Sequence, residues 1–518
     1  MKRGPRAPSR LAPPVLATLL AACAEPLPDE PVLPAEAGFL ELPPVAYAVR
    51  GGATSLSATT STARLFFSFH PADEAPEEKP IVVLHSGGPG ASTAILLGGN
   101  TAPVTLDAAR TGGEETASNP DSWTAFANVL HLDARGTGFS YGVAEGMEDQ
   151  AARAAEFSVR NFNSFVDAAD LVRAVLRFLR GRPHLRALPI VFAGESYAGV
   201  RTSLALHMLH HPDRYGPGAE PYEDPALAAE IEEHFAAAGT TAAEQLDRAV
   251  LLQPRLSSPQ QQSAAGAALE APGSPLHAVA EETGVPFVPC ADQPPSCSPF
   301  ANVVSYLADA GRDLYDIRKP AGDAFARFAE IGARLEDPAI FPLATGVAPT
   351  DIPDLAPEAR AQAYRLVDAS PEDEPLTAAL GALAPHDRYF EIELFDLIGA
   401  PFAGADAQSL GIERQHGRYG LYFLEDAIAV RFFVTNAAFD AAIWTPALPE
   451  ALMMYTGEVA GVHMEGEALV IEYQPSAFGG AAAASREVRF VPYAGSGHSV
   501  SLDEPSKLSA DVRAWLAD

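Results

Sequence analysis

The sequence predicts an α/β fold in which a mostly parallel central sheet is covered by helices on both faces and carries a large helical lid insertion. Apolar runs bounded by turn signals recur in the first half of the chain, as expected for strands that are buried on both faces. A strongly amphipathic segment with helical spacing separates two of these runs. This alternation of strands and helices indicates a parallel sheet with helices packed on it.

The predicted strands of the first half are RLFFSFH at 64–70, PIVVLHS at 80–86, NVLHLDA at 128–134 and LPIVFAG at 188–194. Between the last two, FNSFVDAADLVRAVLRFLRG predicts a helix that ends at Gly181, before Pro183. The chain then changes to helices and loops rich in Ala, Glu and Pro, and strand patterns return at 427–437 and 486–495, before a closing helix. We therefore predict a lid at 212–425, inserted between two core segments at 46–211 and 426–518.

The first 23 residues have the layout of a secretory signal, with basic residues followed by a short apolar run and small residues. The signal ends in LAAC, which resembles the lipobox of bacterial lipoproteins. Cys23 is therefore expected to carry a lipid anchor that attaches the exported protein to a membrane. The alternative is ordinary signal cleavage, which would give a secreted protein. Residues 24–45 are rich in Pro and acidic residues and predict an extended tether.

Charge and cysteine content restrict the possible partners. The 518 residues carry a formal net charge of −32, so nucleic acid, which requires clustered cations, is not an expected partner. An exported chain can form disulfide bonds, and CADQPPSC predicts a local bond between Cys290 and Cys297, with free thiols as the alternative. HMLHH at 207–211 lacks the glutamate of a zinc-protease helix, and GGNTAP and GTGFSYG lack phosphate-loop spacing. We expect neither a metal nor a cofactor.

Ser196 is the predicted nucleophile. The pattern of Gly, any residue, Ser, any residue, then Gly or Ala occurs three times, as GASTA at 90–94, GFSYG at 138–142 and GESYA at 194–198. A nucleophilic serine of this kind lies on a strained turn between a strand and a helix, where small neighbours prevent a backbone clash. Only the third copy follows a strand pattern and precedes apolar residues at helical spacing. The alternative is a polar residue at a helix N-cap.

A serine hydroxyl needs a base to take its proton and an acid to orient that base. His498 lies in the glycine-rich turn YAGSGHS after the last predicted strand, from which it can reach the carboxyl edge of the sheet; a surface-loop histidine is the alternative. In an α/β hydrolase the acid lies between serine and histidine in chain order. Asp440, after the penultimate strand, is therefore favoured over Asp396.

The developing oxyanion of an attacked carbonyl needs hydrogen-bond donors. The SGGPG loop at 86–90 follows a predicted strand, and glycine lets the backbone approach a ligand closely. We predict the backbone N–H of Gly88 and that of Tyr197, the residue after the serine, as the two donors. The alternative is that GGPG is only a tight turn.

Six segments resemble the serine carboxypeptidase family and occur in its order: HSGGPGAS, NPDSWTAFANVLHLDARGTGFSYG, FAGESYAG, YDIRKP, FDAAIWTP and GHSVSLDEPSKLSADVRAWL. The resemblance covers residues 60–210 and 425–518, and in the lid only YDIRKP. It implies an α/β-hydrolase fold, an acyl-enzyme mechanism and release of the C-terminal residue from peptide substrates. It also implies a triad of Ser196, Asp440 and His498.

The resemblance further implies that Glu195 helps bind the substrate carboxylate, next to Gly87 and Ser86 in the glycine loop. Two carboxyl groups can lie together only by sharing a proton, so such an enzyme is expected to work best at acidic pH. The alternative is that Glu195 is a buried structural carboxyl. This chain departs from the family at Ser86, where the family has Asn, at Ala91, where it has Cys, and at Asn100, where it has a further glutamate.

Two other functions stay open at this point. HSGGPG followed by LDARGTGFS also resembles the proline iminopeptidases and tripeptidyl aminopeptidases, which recognise a free N-terminal amine. A function of a different class is an inert surface lipoprotein that kept the fold and acts as a binding module. The NPDSW, YDIRKP and DEPSKL segments favour the carboxypeptidase hypothesis.

Overall fold

The computed structural model describes residues 33–51, 54–88, 90–143, 161–256, 258–293, 299–353, 355, 430–455, 459–473 and 486–518. Cys23, Cys297 and the alternative acid Asp396 lie outside these residues. Residues Ala35–Asp518 form one compact unit.

The strands of the described residues are β1 Glu36–Leu42, β2 Ala46–Gly51, β3 Thr54–Thr59, β4 Thr62–His70, β5 Ile81–His85, β6 Val104–Thr105, β7 Ala117–Ser118, β8 Asn128–Leu132, β9 Tyr141–Val143, β10 Ile190–Glu195, β11 Tyr222–Glu223, β12 Arg248–Leu252, β13 Arg431–Ala437, β14 Val459–Glu465, β15 Ala468–Tyr473 and β16 Arg486–Tyr493. The α-helices are α1 Ala94–Leu96, α2 Ala108–Thr111, α3 Ser164–Arg180, α4 Ala198–His210, α5 Pro225–Ala238, α6 Ala242–Gln245, α7 Ser258–Glu270, α8 Pro275–Thr283, α9 Pro299–Asp309, α10 Asp323–Leu335, α11 Phe341–Thr345, α12 Leu448–Tyr455, α13 Val500–Asp503 and α14 Pro505–Ala517.

The central sheet runs in the order β1-β4-β8-β5-β10-β12-β13-β16-β15-β14, and β9 pairs with β4. Its middle strands, from β8 to β16, are all parallel to one another. The strands at both edges are antiparallel. The six parallel strands end at the same edge of the sheet, so the loops that follow them converge there.

Helices cover both faces of this sheet. Successive side chains of a strand point to opposite faces, so a single strand contacts the helices on each side. On β10, Val191 and Ala193 belong to a buried cluster with Trp515 of α14. Ile190 and Phe192 point the other way and line a small cavity with residues of α3, α4 and α5. The predicted α/β fold with a mostly parallel sheet and helices on both faces is thus confirmed.

The predicted start of the lid at residue 212 is wrong. β12, which lies inside the predicted lid, is a central strand of the sheet between β10 and β13. Its run RAVLL is short and apolar, and such a run cannot be distinguished from part of a buried helix by periodicity alone. Between β12 and β13 the described residues contain the helices α7 to α11 and no strand.

The predicted tether at 24–45 is also wrong at its C-terminal end. β1 occupies Glu36–Leu42 and pairs antiparallel with β4, with Phe39 opposite Phe66. The two rings lie 5.8 Å apart between centroids, and Arg182 forms an ion pair with Glu36. The sheet therefore begins inside the segment predicted as a tether. In the described part of the chain no helix has the length and apolarity needed to cross a bilayer.

Candidate active site

Ser196 lies in the turn between β10 and α4, as predicted. Its φ angle is +63°, a left-handed conformation that non-glycine residues rarely adopt. A Cβ at Gly194 would lie 2.5 Å from Thr202 Oγ1 and 2.7 Å from Ala198 O, and a Cβ at Gly199 would lie 2.6 Å from Pro254 Cβ. The small residues around Ser196 therefore allow the strand and the helix to meet at a sharp turn, which places the serine at the carboxyl end of β10.

The other two serines of the repeated pattern have structural hydrogen bonds. The Ser140 hydroxyl donates to Asp133 O at 3.1 Å and accepts from the backbone N–H of Phe66 at 2.8 Å. The Ser92 hydroxyl donates to Asp133 Oδ1 at 3.2 Å. These contacts agree with the choice of Ser196 as the candidate.

His498 and Asp440 lie in loops that follow the neighbouring parallel strands β16 and β13. His498 Nδ1 is 2.7 Å from Asp440 Oδ2, and Asp440 is fully buried. The other carboxylate oxygen, Oδ1, accepts from the backbone N–H groups of Ala442 at 2.9 Å and Ile443 at 3.1 Å. The structure thus brings together the predicted base and the predicted acid. Hydrogen bonds from backbone N–H groups hold the carboxyl group of the acid in place.

The pKa of His498 reflects this pairing. Burial alone would lower the pKa, but the charge of Asp440 and its hydrogen bond outweigh burial and raise the pKa above the ordinary 6.5. The nearby carboxyl of Glu195 raises it further. Because Glu195 directly precedes Ser196, this interaction places the serine turn next to the imidazole. No hydrogen bond between described residues joins the Ser196 hydroxyl to the His498 ring.

The YDIRKP segment and Leu314, the residue before it, brace both loops, a role that the sequence did not reveal. The backbone N–H of His498 donates to Tyr315 O at 2.7 Å, and the two rings meet edge to face with centroids 4.8 Å apart. The backbone N–H groups of Ala441 and Ala442 both donate to Leu314 O at 3.1 Å. One segment between β12 and β13 therefore positions the histidine loop and the acid loop together.

The glycine loop lies directly against the serine turn. A Cβ at Gly87 would lie 2.5 Å from Tyr197 N and 2.6 Å from Glu195 O, so no other residue fits there without a shift of the backbone. Gly88 has a φ of +100°. The structure thus brings the predicted donor residues Gly88 and Tyr197 to one place. Arg201, which sequence reasoning missed, supports the loop from α4, because its Nη1 donates to Ser86 O at 2.6 Å.

Glu195 is buried next to these groups. Burial raises its pKa from 4.5 to about 7, while the positive charge of the His498 ring and the hydroxyls of Ser499 and Ser86 oppose that rise. Its Oε1 has no partner at hydrogen-bonding geometry, although both hydroxyls are near enough to affect its pKa. A carboxyl with these surroundings takes up a proton near neutral pH.

Among the described residues, Asn100 makes no hydrogen bond with Glu195. The amide oxygen of Asn100 accepts from Arg110 Nη1 at 2.5 Å, and its amide nitrogen donates to Pro505 O at 3.4 Å. Both polar ends of the side chain are therefore engaged elsewhere. Ser86, in contrast, is buried beside Glu195, at the start of the glycine loop.

The remaining predicted sites lie away from this cluster. Cys290 is disulfide-bonded, and its predicted pairing with Cys297 stays a prediction because Cys297 lies outside the described residues. Within HMLHH, His207 bonds to the Tyr215 hydroxyl through Nδ1 and lies against His211. The described residues contain no cluster of three or more His, Cys, Asp or Glu side chains suited to a metal ion.

The sheet, the helices on both faces and the serine turn form an α/β-hydrolase fold. Its fold is similar to that of Kex1, a prohormone-processing carboxypeptidase from Saccharomyces cerevisiae, with a TM-score of 0.50 and 12% identity over 93% of this chain and 91% of that chain. Residues 50–213 match the family model described as serine carboxypeptidase. The predicted resemblance to this family is confirmed over these residues.

Two curated relatives show the same likeness. The chain is 32% identical over 142 residues to serine carboxypeptidase S10 family member 1 from Dictyostelium discoideum, which is 27% of this chain and 30% of that protein. It is 30% identical over 157 residues to probable serine carboxypeptidase CPVL from Homo sapiens, which is 29% of each chain. The chain thus matches less than a third of the length of these relatives.

Proposed function

We propose that this protein is a serine carboxypeptidase that hydrolyses peptides from the C-terminus through an acyl-enzyme. The observation that carries the proposal is the 2.7 Å bond between His498 and Asp440, located at the carboxyl ends of strands next to the strained Ser196 turn. The match of residues 50–213 to the serine carboxypeptidases supports this activity over that of an N-terminal peptidase.

In the proposed mechanism, Ser196 Oγ attacks the carbonyl of the last peptide bond while His498 Nε2 takes its proton. Asp440 holds the Nδ1–H of the imidazole and stabilises the cation that forms. His498 then gives the proton to the leaving amine, and water attacks the acyl-enzyme with the same base. The bond from Ser196 to His498 forms when substrate is bound, since such contacts tighten in the Michaelis complex.

The backbone N–H groups of Gly88 and Tyr197 stabilise the oxyanion in this proposal. One such donor contributes about 3 kcal/mol to transition-state stabilisation. The close approach of Gly87 to Tyr197 N supports the assignment, because Gly88 is the next residue of the glycine loop.

The protonated carboxyl of Glu195 and the Ser86 hydroxyl bind the substrate carboxylate in this proposal. A protonated acid can donate a hydrogen bond to a carboxylate, whereas an ionised one would repel it. Asn100 has no part in this pocket, because Arg110 and Pro505 already engage its amide.

The decisive experiment compares two substrates, an N-blocked dipeptide with a free carboxylate and a peptide amide with a free N-terminus. The proposal expects cleavage of the first and weak or no cleavage of the second, with activity absent from Ser196→Ala. Cleavage of the second substrate alone would favour the N-terminal peptidase. Failure of a fluorophosphonate to label Ser196 in the wild type would favour an inert binding module.

We also propose that the protein is exported and anchored to a membrane through a lipid on Cys23. The LAAC sequence after an apolar run supports this assignment. Mass spectrometry of the mature N-terminus tests it, because a lipoprotein begins at an acylated Cys23. An unmodified or absent Cys23 would contradict the anchor and leave a secreted protein.

A further inference from the structure

Gln253 shares the strained backbone conformation of Ser196. Among the described non-glycine residues, positive φ angles occur at Ala75, Ser196 and Gln253, and that of Gln253 is +46°. Glu195 and Leu252 are paired in the parallel register of β10 and β12, so Ser196 and Gln253 follow equivalent positions on neighbouring strands. A left-handed conformation of this kind costs about 1 kcal/mol or more and persists where the surroundings impose it.

Backbone hydrogen bonds connect Gln253 to the serine turn on both sides. Ser196 N donates to the carbonyl of Leu252, the residue before Gln253, at 2.9 Å. Arg255 N donates to Ser196 O at 2.9 Å. The backbone of Ser196 is therefore held by the turn that contains Gln253.

The side chain of Gln253 reaches the acid of the site. Gln253 is fully buried, and its Oε1 accepts from the backbone N–H of Ala437 at 2.7 Å and from Thr445 Oγ1 at 3.1 Å. A backbone N–H can only donate, so this contact fixes the amide with its NH₂ toward Asp440. Nε2 donates to Asp440 Oδ2 at 3.0 Å, and the same oxygen binds His498 Nδ1.

We propose that Gln253 is a positioning residue that connects the backbone of Ser196 to the carboxylate of Asp440 and fixes the oxygen that orients His498. The inference rests on the proposed catalytic roles of these three residues. Backbone donors hold only Oδ1 of Asp440, whereas Oδ2 depends on Gln253 for its second donor. A donor to a carboxylate oxygen also reduces the negative charge available to the imidazolium.

Loss of this donor has two expected effects. The carboxylate keeps its bond to His498 but is fixed less precisely, so the imidazole is less well aligned and kcat/KM falls by about 10- to 100-fold. The charge on Oδ2 is less neutralised, so the His498 cation is more stable and the acid limb of the pH profile moves up by about one pH unit. A residue that only supported the fold would lower stability and leave the acid limb in place.

The test measures the rate of Ser196 labelling by a fluorophosphonate between pH 4 and 9 in the wild type, Gln253→Met and Gln261→Met. Gln261 is the matched control, because it is a buried glutamine whose described hydrogen bonds go to the backbone of Leu256 and Pro254. We expect an upward shift of the acid limb in Gln253→Met and none in Gln261→Met. If Gln253→Met does not fold, Gln253→Leu also removes the donor to Asp440, and its shift should have the same direction.

If a folded Gln253 variant has the same acid limb as the wild type, the proposed role of Gln253 is wrong. The proposed triad would not be affected by that result. A wild type that is not labelled at Ser196 would overturn the proposed triad and this inference together. A wild type that is labelled but cleaves no peptide would contradict the proposed peptidase activity, and the acid limb would still decide the role of Gln253.

Discussion

Two buried carboxyl groups act on His498, and their surroundings are opposite. Asp440 has four donors, the backbone N–H groups of Ala442 and Ile443 and the side chains of Gln253 and His498. Glu195 has one oxygen without any hydrogen-bond partner, and burial raises its pKa to about 7. Hydrogen bonds to a carboxylate favour its charged form, whereas burial favours the protonated form.

The difference assigns two chemical tasks to two identical functional groups. Asp440 provides a carboxyl group held by four hydrogen bonds that orients the base, and Glu195 provides an acid that is neutral below about pH 7. Substitutions at each carboxyl, and at the glycine beside them, therefore test the comparison.

Asp440→Asn should have the largest effect. The amide keeps the shape of the side chain but cannot hold the Nδ1–H tautomer of His498, so kcat/KM should fall by about 10⁴-fold, as is typical for this change in a triad. Steady-state kinetics on an N-blocked dipeptide measure the loss. Glu487→Gln, a carboxyl at the start of β16 that pairs with Arg431 and Arg489, is the control. A loss below tenfold in Asp440→Asn would contradict the role of Asp440 in orienting His498.

Gly87→Ala should have the next largest effect. The new Cβ would lie 2.5 Å from Tyr197 N, a backbone atom of the serine turn, so the glycine loop must move away from the oxyanion position. Loss of one donor costs about 10²- to 10³-fold in kcat. Gly332→Ala in α10 is the control, because no heavy atom lies within 4 Å of its Cβ position. Equal activity of both variants would contradict the assignment of this loop.

The fold was predictable where burial imposes a simple pattern. Strands of a parallel sheet are buried on both faces and give continuous apolar runs, so β5, β8 and β10 lie within a residue or two of their predicted positions. β12 was missed because its five residues follow helical sequence, and its run of four apolar residues fits a helix as well as a strand. β1 was missed because the Pro and acidic residues around it favour an extended tether.

The site was predictable where turn chemistry and chain order define it. Ser196, Asp440 and His498 each follow a predicted strand, and parallel strands end at one edge of the sheet. Gln253 and Tyr315 were missed, because their roles depend on partners far along the chain. Gln253 contacts Asp440 across 187 residues, and no local pattern encodes that distance. The contacts of Asn100 were unpredictable for the same reason, since Arg110 and Pro505 meet it only in the fold.

Glu195→Gln tests the comparison of the two carboxyl groups through the pH dependence of the free energy of unfolding. The pKa of Glu195 is about 7 in the folded protein against an ordinary 4.5, so its contribution to folding is complete below pH 4.5 and is lost as the pH rises to 7. This loss corresponds to about 3 kcal/mol above pH 7. Glu195→Gln cannot ionise, so denaturant unfolding should show it more stable than the wild type at pH 8 and no more stable at pH 4. Equal stability differences at both pH values would show that Glu195 does not titrate in this range.

The same variant has the smallest expected effect on catalysis. Two substrates that differ only in the C-terminal carboxylate separate this effect from other effects of pH. For an N-blocked dipeptide, ionisation of Glu195 repels the substrate carboxylate, so kcat/KM of the wild type should fall about tenfold per pH unit above pH 7. The matched dipeptide amide has no carboxylate and should show no such fall. In Glu195→Gln the alkaline limb should disappear for the N-blocked dipeptide, while the acid limb, which follows His498, remains for both substrates. An alkaline limb of equal size for the acid and the amide would assign it to another group and would place substrate recognition away from Glu195.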